Sequence, residues 1–451
     1  MQVSVETLSD LERRVTVQVP AQKVAEEIQS RLQSLSRKVK VDGFRPGKAP
    51  LKLLKKIYGD QVRYETVTEL MKNSLETALI QENLKPLGDP NIQSKNLEEG
   101  QDLEYSATFE IMPEFEPAGF ETIHIERPVA EVTGQDVDEM IETLRQQRII
   151  WNPVERPAQP GDQLHIDFKG QIDGRDFPGG TSENASVVLG KGTMLKAFED
   201  ELTGLNPGAE TGFDLTFPAG YHVRVIAGKT AHFQVKVNAV AEAILPEVDD
   251  AFAESFDIKE GGVAGLRQSL RDNMERELRD GIKAAVKHQA LQGLLTANPI
   301  PLPQVLVGVE IERLARQLNF PDNVENEKVR QLKAQLFETE ARRRVAVGLL
   351  LSRLAIVQGI KADEQRVRAQ LETVAASYQD PAEVIRWHQQ NPPAMENLRA
   401  LVIEEQLVEW LIARAQVIEK PSLFAEVMKP SEQHVKAAMD QPAPAHEESA
   451  A

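Results

Sequence analysis

Gly43-Phe44-Arg45-Pro46-Gly47-Lys48-Ala49-Pro50 stands between two runs of helical periodicity, and its reading settles how the N-terminal domain folds. Upstream, Val24, Ile28, Leu32, Leu35 and Val39 recur at steps of three and four, one apolar face of an amphipathic helix. Downstream the spacing resumes at Leu51, Leu54 and Ile57, is interrupted near Gly59-Asp60, and continues through Val67, Leu70, Leu75 and Leu79. The octapeptide therefore reads as a loop joining two helices. Gly43 and Gly47 allow a tight tip, Phe44 offers an apolar plug, and Arg45 and Lys48 suit phosphates or carboxylates. Around this hairpin, alternation at Val15, Val17 and Val19, and again at Leu103, Tyr105, Ala107, Phe109 and Ile111, predicts strands, with Pro20 placed where a helix begins. Residues 1–112 read as an α+β domain.

The loop is also the centre of a charge anomaly. From Arg31 to Arg63 there are ten Lys and Arg against Asp42 and Asp60, in a chain of formal net charge -18. An acidic chain that concentrates positive charge presents it to a polyanion. A solvated basic surface is the ordinary reading of such a run. Here a Phe set between Gly and Arg adds an apolar exposure that is costly unless a partner covers it.

Composition sets the outer limits. With 451 residues, 41% of them hydrophobic, the chain exceeds one ordinary core and divides into several domains. No run approaches the roughly 18 apolar residues of a membrane-spanning helix. Met1-Gln2-Val3-Ser4-Val5-Glu6 has neither a basic nor an apolar region of the secretory kind, and with no cysteine in the chain a cytoplasmic location is expected. The eight histidines are scattered, so neither a catalytic metal nor a cofactor is expected.

Beyond the first domain, Pro113 to Pro128 is rich in Pro and Glu, and a helix is predicted from Asp136 to Ile150, closed by Trp151-Asn152-Pro153; residues 113–149 read as a linker with a helix. Residues 150–245 change texture, with Gly and Pro punctuating short alternating runs such as Leu164, Ile166, Phe168 and Phe233, Val235, Val237, which predicts a small antiparallel β domain. In residues 246–435 strand signals vanish. Leu266, Leu270, Met274, Leu278, Ile282, Val286, Ala290 and Leu294 recur at every fourth residue, a stripe that winds around a long helix and meets more than one partner. Pro299-Ile300-Pro301-Leu302-Pro303 breaks it, and helical periods return over 305–318, 329–351, 367–378 and 398–412. Residues 436–451, rich in Ala, Pro and Glu, read as a disordered tail.

The octapeptide, as Gly-Phe-Arg-x-Gly-Lys-x-Pro between two N-terminal helices, resembles the signature of bacterial trigger factors, a family of ribosome-associated chaperones. The resemblance implies that Gly43, Phe44, Arg45, Gly47, Lys48 and Pro50 dock on the large ribosomal subunit beside the nascent-chain exit, touching a ribosomal protein and rRNA. Position 46, often Lys in the family, is Pro here. Asn298-Pro299-Ile300-Pro301-Leu302-Pro303 resembles the family's break between helices, which implies that the all-α C-terminal region is the chaperone body, with helical arms that hold nascent and unfolded polypeptides.

A second resemblance covers the middle domain. Gly161-Asp162-Gln163-Leu164-His165-Ile166-Asp167-Phe168-Lys169-Gly170, Asp173-Gly174-Arg175-Asp176-Phe177, Leu189-Gly190-Lys191-Gly192, Phe198-Glu199, Phe217-Pro218-Ala219-Gly220-Tyr221 and Phe233-Gln234-Val235 are similar to FK506-binding-protein-type prolyl isomerases. Such an enzyme needs no nucleophile. Turning an X-Pro bond forfeits amide resonance, a barrier of roughly 18–20 kcal/mol, and takes on the order of 10–100 s unassisted. A twisted amide is less dipolar than a planar one, so an apolar, water-poor pocket favours the transition state. The resemblance implies a pocket of Phe168, Phe177, Met194, Leu195, Phe198, Tyr221 and Phe233, with Ile226 at its edge and Tyr221 able to donate to substrate. Phe213 and Phe217 are assigned to the core. Pro178 and Ala197 stand where the small isomerases usually carry an acidic residue and Gly.

The expectation is thus a multidomain α+β chain, an ATP-independent chaperone at the ribosome with an auxiliary isomerase and no membrane partner; a homodimer off the ribosome stays open. The rival readings are a stand-alone isomerase with a helical dimerisation domain, and a nucleic-acid-binding protein that uses the basic window.

Overall fold

The computed structural model describes residues 1–39, 44, 50–96, 100–221, 223, 225–318, 320 and 327–429. Among these, Met1–Pro128 and Lys283–Lys420 form one compact unit, and Val129–Ile282 with 421–429 form another.

In the first unit, β1 (Gln2–Thr7) and β2 (Glu12–Val19) are followed by α1 (Ala21–Lys38), α2 (Leu51–Gln81), β3 (Leu87–Asn96), β4 (Leu103–Glu110) and β5 (His124–Val129). The first four strands make an antiparallel sheet in the order β1-β2-β4-β3. Val15, Val17 and Val19 lie opposite Ala107, Tyr105 and Leu103. Their shared apolar face takes Leu75 and Ala78 of α2, as the period of two requires. Tyr105 is buried there but keeps its hydroxyl satisfied: it donates to the Met71 carbonyl at 2.9 Å and pairs with Ser74 Oγ at 2.8 Å. Burial raises its pKa, and the bond to Ser74 opposes that rise.

The sequence-based break at Gly59-Asp60 does not occur, because α2 runs unbroken for 31 residues. One interior glycine costs about 1 kcal/mol, and burial of Leu54 and Val62 on either side holds the helix. An ion pair between Arg31 and Glu69 ties α1 to α2 and raises the Arg31 pKa. That cation of the basic window therefore serves the hairpin.

The second unit begins with α3 (Gly134–Gln147), whose Thr133 and Asp136 form a capping box. It stops short of the predicted Ile150 because Ile150–Val154 is β6. Trp151-Asn152-Pro153 is thus strand, not a helix terminator. Pro153 is tolerated because β6 lies at a sheet edge, against β10 (Thr230–Ile244). The sheet is completed by β7 (Gln163–Ile172), β8 (Arg175–Val188) and β9 (Glu210–Thr216), all antiparallel. Its core joins Leu164, Ile166, Val235 and Val237 to Leu202 of α4 (Lys196–Leu202).

At the start of β7, buried Asp162 accepts from Arg156 Nη1 at 2.6 Å, Arg156 Nη2 at 3.0 Å and the Gln159 N–H at 2.8 Å. Burial alone raises its pKa, but the guanidinium and the N–H outweigh it and hold the carboxyl below its ordinary value. A depressed folded-state pKa stabilises fully above the unfolded value of about 3.9, and that stability is lost as pH falls through the folded value. Calorimetry of the full chain should show an unfolding midpoint for this sheet domain that falls as pH is lowered from roughly 5 to 2, with part of the slope removed by Asp162→Asn.

Helices follow: α5 (Asp250–Glu254), α6 (Gly262–Ala297), α7 (Gln304–Gln317), α8 (Glu327–Gln358), α9 (Glu364–Ala375), α10 (Pro381–Gln390) and α11 (Pro392–Ile412). The winding stripe of α6 is used twice. Leu266, Met274 and Leu278 pack with Val132, Val137, Ile141 and Phe252 in the second unit. In the first, Val286, Ala290 and Leu294 are buried, and beside the stripe Gly293 lies so close to Ile123 that an added Cβ would fall 2.5 Å from Ile123 Cγ2. Within the first unit, Val307 and Leu314 of α7 meet Phe337 and Ala341 of α8, and Val367 and Leu371 of α9 meet Leu398 and Val402 of α11.

Strands do not vanish after Pro246, because β11 (Gln416–Pro421) pairs with β5. Its partner is remote in sequence, so no local pattern announces it. β5 and the segment leading to it are stitched to α6 and its C-terminal end by side-chain amides. Asn298 Nδ2 donates to the Ala118 carbonyl and Asn298 Oδ1 accepts from its N–H, while Gln289 does the same for Glu126.

Candidate functional site

The alternation of β7 points Leu164, Ile166, Phe168 and Gly170 into one face. Gly170 lies opposite Phe233 of β10. A Cβ at Gly170 would stand 2.5 Å from Phe233 Cε1, so the absent side chain lets that ring lie against bare backbone. Gly180 on β8 does the same for Phe177, whose Cζ would be 2.8 Å from an added Cβ. α4 supplies Phe198, the turn before it Met194 and Leu195, and the segment between β9 and β10 Tyr221 and Ile226.

These side chains meet around a cavity of about 440 Å³. Phe198 is its hub. Its ring presents an edge to Phe233 at 5.2 Å and Phe168 at 5.9 Å, and packs on Phe213 at 5.3 Å. Phe177 stands edge-on to Phe217 at 6.0 Å and to Phe233 at 6.2 Å. The structure therefore brings together all of Phe168, Phe177, Met194, Leu195, Phe198, Tyr221, Ile226 and Phe233. Pro178 also lines the cavity, in place of the usual acid. Among the described lining residues no side chain is ionisable apart from the Tyr221 phenol, and Thr193 supplies the other hydroxyl. A chamber lined this way favours the less polar form of a group placed in it.

Phe213 and Phe217 are both buried core rings, as assigned from sequence. Phe213 is stacked on Phe233 at 6.1 Å. Phe217 also lines the cavity. It lies just past the end of β9, held by its N–H donating to the Lys229 carbonyl at 2.9 Å, so the inward alternation of Phe213 and Leu215 continues to its ring. Its place four residues before Tyr221 was the signal available.

Of the docking residues, Phe44 and Pro50 are described; Gly43, Arg45, Gly47 and Lys48 lie outside the described residues, as does Pro46. Phe44 is 41% exposed. Pro50 caps α2, its carbonyl accepting from the Leu53 and Leu54 N–H groups at 3.0 and 3.2 Å. Lys52 and Lys56 on the following turns are exposed.

Comparison with known proteins agrees with this layout. Residues 1–144 match a family profile described as bacterial trigger factor protein, residues 262–413 its trigger factor C-terminus, and residues 154–238 FKBP-type peptidyl-prolyl cis-trans isomerase. A protein named trigger factor from Thioalkalivibrio sulfidiphilus is 47% identical over 441 residues, 95% of this chain and 98% of that one. Those of Ectopseudomonas mendocina and Alkalilimnicola ehrlichii are 44% and 45% identical, covering 96% and 97% of this chain and 99% and 98% of theirs. A solved trigger factor chaperone structure aligns over 92% of this chain and 99% of its own, with 21% identity and a TM-score of 0.47. Among the described residues, no helix is long and apolar enough to cross a membrane.

Proposed function

We propose how this chain works from one premise: it belongs to the bacterial trigger factor family. It is a chaperone carrying an FKBP-type prolyl isomerase domain, and the family implies interaction with the ribosome and nascent chains. In our reading the catalytic wall is Phe168, Phe177, Met194, Leu195, Phe198, Tyr221, Ile226 and Phe233. A prolyl segment enters the cavity, sheds water, and twists about its amide where no charge stabilises the planar form. The supporting observation is the convergence of all eight on one apolar chamber.

Gly180→Ala tests this reading without removing any wall residue. The added methyl displaces the half-buried Phe177 ring, whose far side borders the chamber, so the chamber narrows. Overpacking costs about 1–3 kcal/mol, and kcat/KM for an X-Pro tetrapeptide is expected to fall about tenfold. Activity within twofold of the parent in a folded variant overturns the assignment.

The domains proposed are residues 1–112 for docking, 113–149 as linker, 150–245 as isomerase and 246–435 as chaperone body. Docking is assigned to Gly43, Phe44, Arg45, Gly47, Lys48 and Pro50, on the large subunit near the exit. Exposed Phe44, and exposed Lys52 and Lys56 on the first turns of α2, support it. A photo-crosslinker placed at Phe44 in the full chain should capture a large-subunit protein and rRNA; capture of the small subunit alone overturns it. For clients, support comes from apolar side chains left open on the helices, among them Val309, Leu318, Leu336 and Ile356. Many weak contacts of this kind hold varied sequences and release them, and tethering raises the local client concentration. The working compartment is the cytoplasm, and sedimentation of the free protein tests whether it pairs as a homodimer.

A further inference from the structure

The loop and helix that carry Met194, Leu195 and Phe198 of the isomerase wall are joined by a buried carboxylate. Glu199 follows Phe198 on α4 and is 6% exposed. Its Oε2 accepts from the Gly190 N–H at 2.8 Å and its Oε1 from the Met194 N–H at 3.1 Å. The two oxygens thus hold both ends of the turn between Leu189 and Leu195, in which Gly190 and Gly192 take left-handed φ of 87° and 69°. That turn makes few bonds of its own, and it presents Met194 and Leu195 to the chamber. Among the described residues no ion pair includes Glu199, so its charge is met by backbone dipoles. A buried carboxylate without a cation is expensive to keep as mere filling. An amide would do the job badly, since it offers one acceptor and turns a donor against the second N–H.

We infer that Glu199 is a positioning residue for isomerisation: it fixes the spacing between the Met194-Leu195 lip and the Phe198 ring, and so the width of the chamber in which the amide twists. This rests on the reading of that chamber as the isomerase site. Hydrogen bonds between a charged group and backbone N–H groups are the stronger class, so their loss lets the lip drift.

The test uses the full chain, with kcat and KM measured on an X-Pro tetrapeptide and methyl NMR of Met194. Glu199→Gln is expected to fold, to lower kcat about tenfold with KM little changed, and to broaden or shift the Met194 methyl resonance. Asp162→Asn, which alters a buried carboxylate that does not line the chamber and leaves the backbone bond from the Leu189 N–H to the residue 162 carbonyl in place, is the control. It should lose stability and keep both kcat and the Met194 signal, which separates positioning from general weakening. Should Glu199→Gln not fold, Glu199→Asp keeps the charge but is one methylene short of spanning both N–H groups, and the same loss of kcat is expected. Parent-level kcat in the folded variant overturns the inference alone if Phe198→Leu lowers activity. If Phe198→Leu is also fully active, the chamber reading itself fails.

Discussion

Phe198→Leu is expected to lower kcat/KM for X-Pro isomerisation about tenfold or more, while suppression of aggregation by the full chain stays within about twofold of the parent. The ring is 4% exposed and is packed by three other rings, so it forms wall and core at once. Each aromatic pair contributes roughly 0.5–1.5 kcal/mol beyond area burial, and leucine keeps none of these edge-to-face geometries. It does keep apolar volume. Alanine would instead leave a void costing about 3–5 kcal/mol, and loss of activity would then report unfolding. Peptide isomerisation and client aggregation, measured on one preparation of folded protein, separate the readings. Undiminished isomerisation would overturn the catalytic wall. A parallel fall of both activities would favour a chain whose role is isomerisation alone, with the helices in support.

In the docking loop, replacing Phe44, Arg45 and Lys48 together by Ala is expected to abolish co-sedimentation with ribosomes. Anchor residues of an interface cost about 2 kcal/mol or more when truncated, roughly 30-fold in Kd for each. Phe44 is 41% exposed, so its removal takes little from the fold. The single variants divide the contact by chemistry. Arg45→Ala and Lys48→Ala should each flatten the dependence of affinity on salt by somewhat less than one unit of logarithmic slope. Phe44→Ala should weaken binding with the slope unchanged, as an apolar plug in a protein surface would. Equal co-sedimentation of the triple variant and the parent would overturn docking through this loop. Comparable affinity for arbitrary RNA, with a steep salt slope and no preference for ribosomes, would favour a general nucleic-acid binder.

Elements whose partner is their own pattern were legible. The period of two in Leu164, Ile166 and Phe168 marks a strand with one buried face, and β7 is that strand. The fourfold spacing of α6 implies two packing faces, and α6 has them. Elements defined by remote neighbours were not. β3 shows no alternation because most of its side chains are exposed. β11 pairs with β5 across most of the chain. Pro153 reads locally as a terminator, yet at a sheet edge its missing N–H costs no ladder bond. Gly59 reads as a break, yet burial to either side carries the helix across.

The same division runs through the site. Motif positions picked out eight wall residues that the fold assembles from three strands, a helix and two connecting segments. Phe217 is the core ring it was read as and also lines the cavity, a second role that sequence could not show because core and wall rings have the same chemistry. Glu199 was quoted in a motif but given no role, since a carboxylate beside an aromatic says nothing of where its oxygens point.

By itself the sequence determined the domain order, the secondary-structure periods, the concentration of positive charge around Phe44 and the apolar chemistry of the isomerase. These follow from side-chain type and spacing along the chain. Only the tertiary structure decided that α2 continues through Gly59, that β5 finds β11, that Phe217 joins the wall and that Glu199 bridges Gly190 and Met194. Each depends on groups distant in sequence or on the direction of a single side chain, and the free energy that fixes them, burial of apolar area and satisfaction of buried polar groups, exists only once those groups meet.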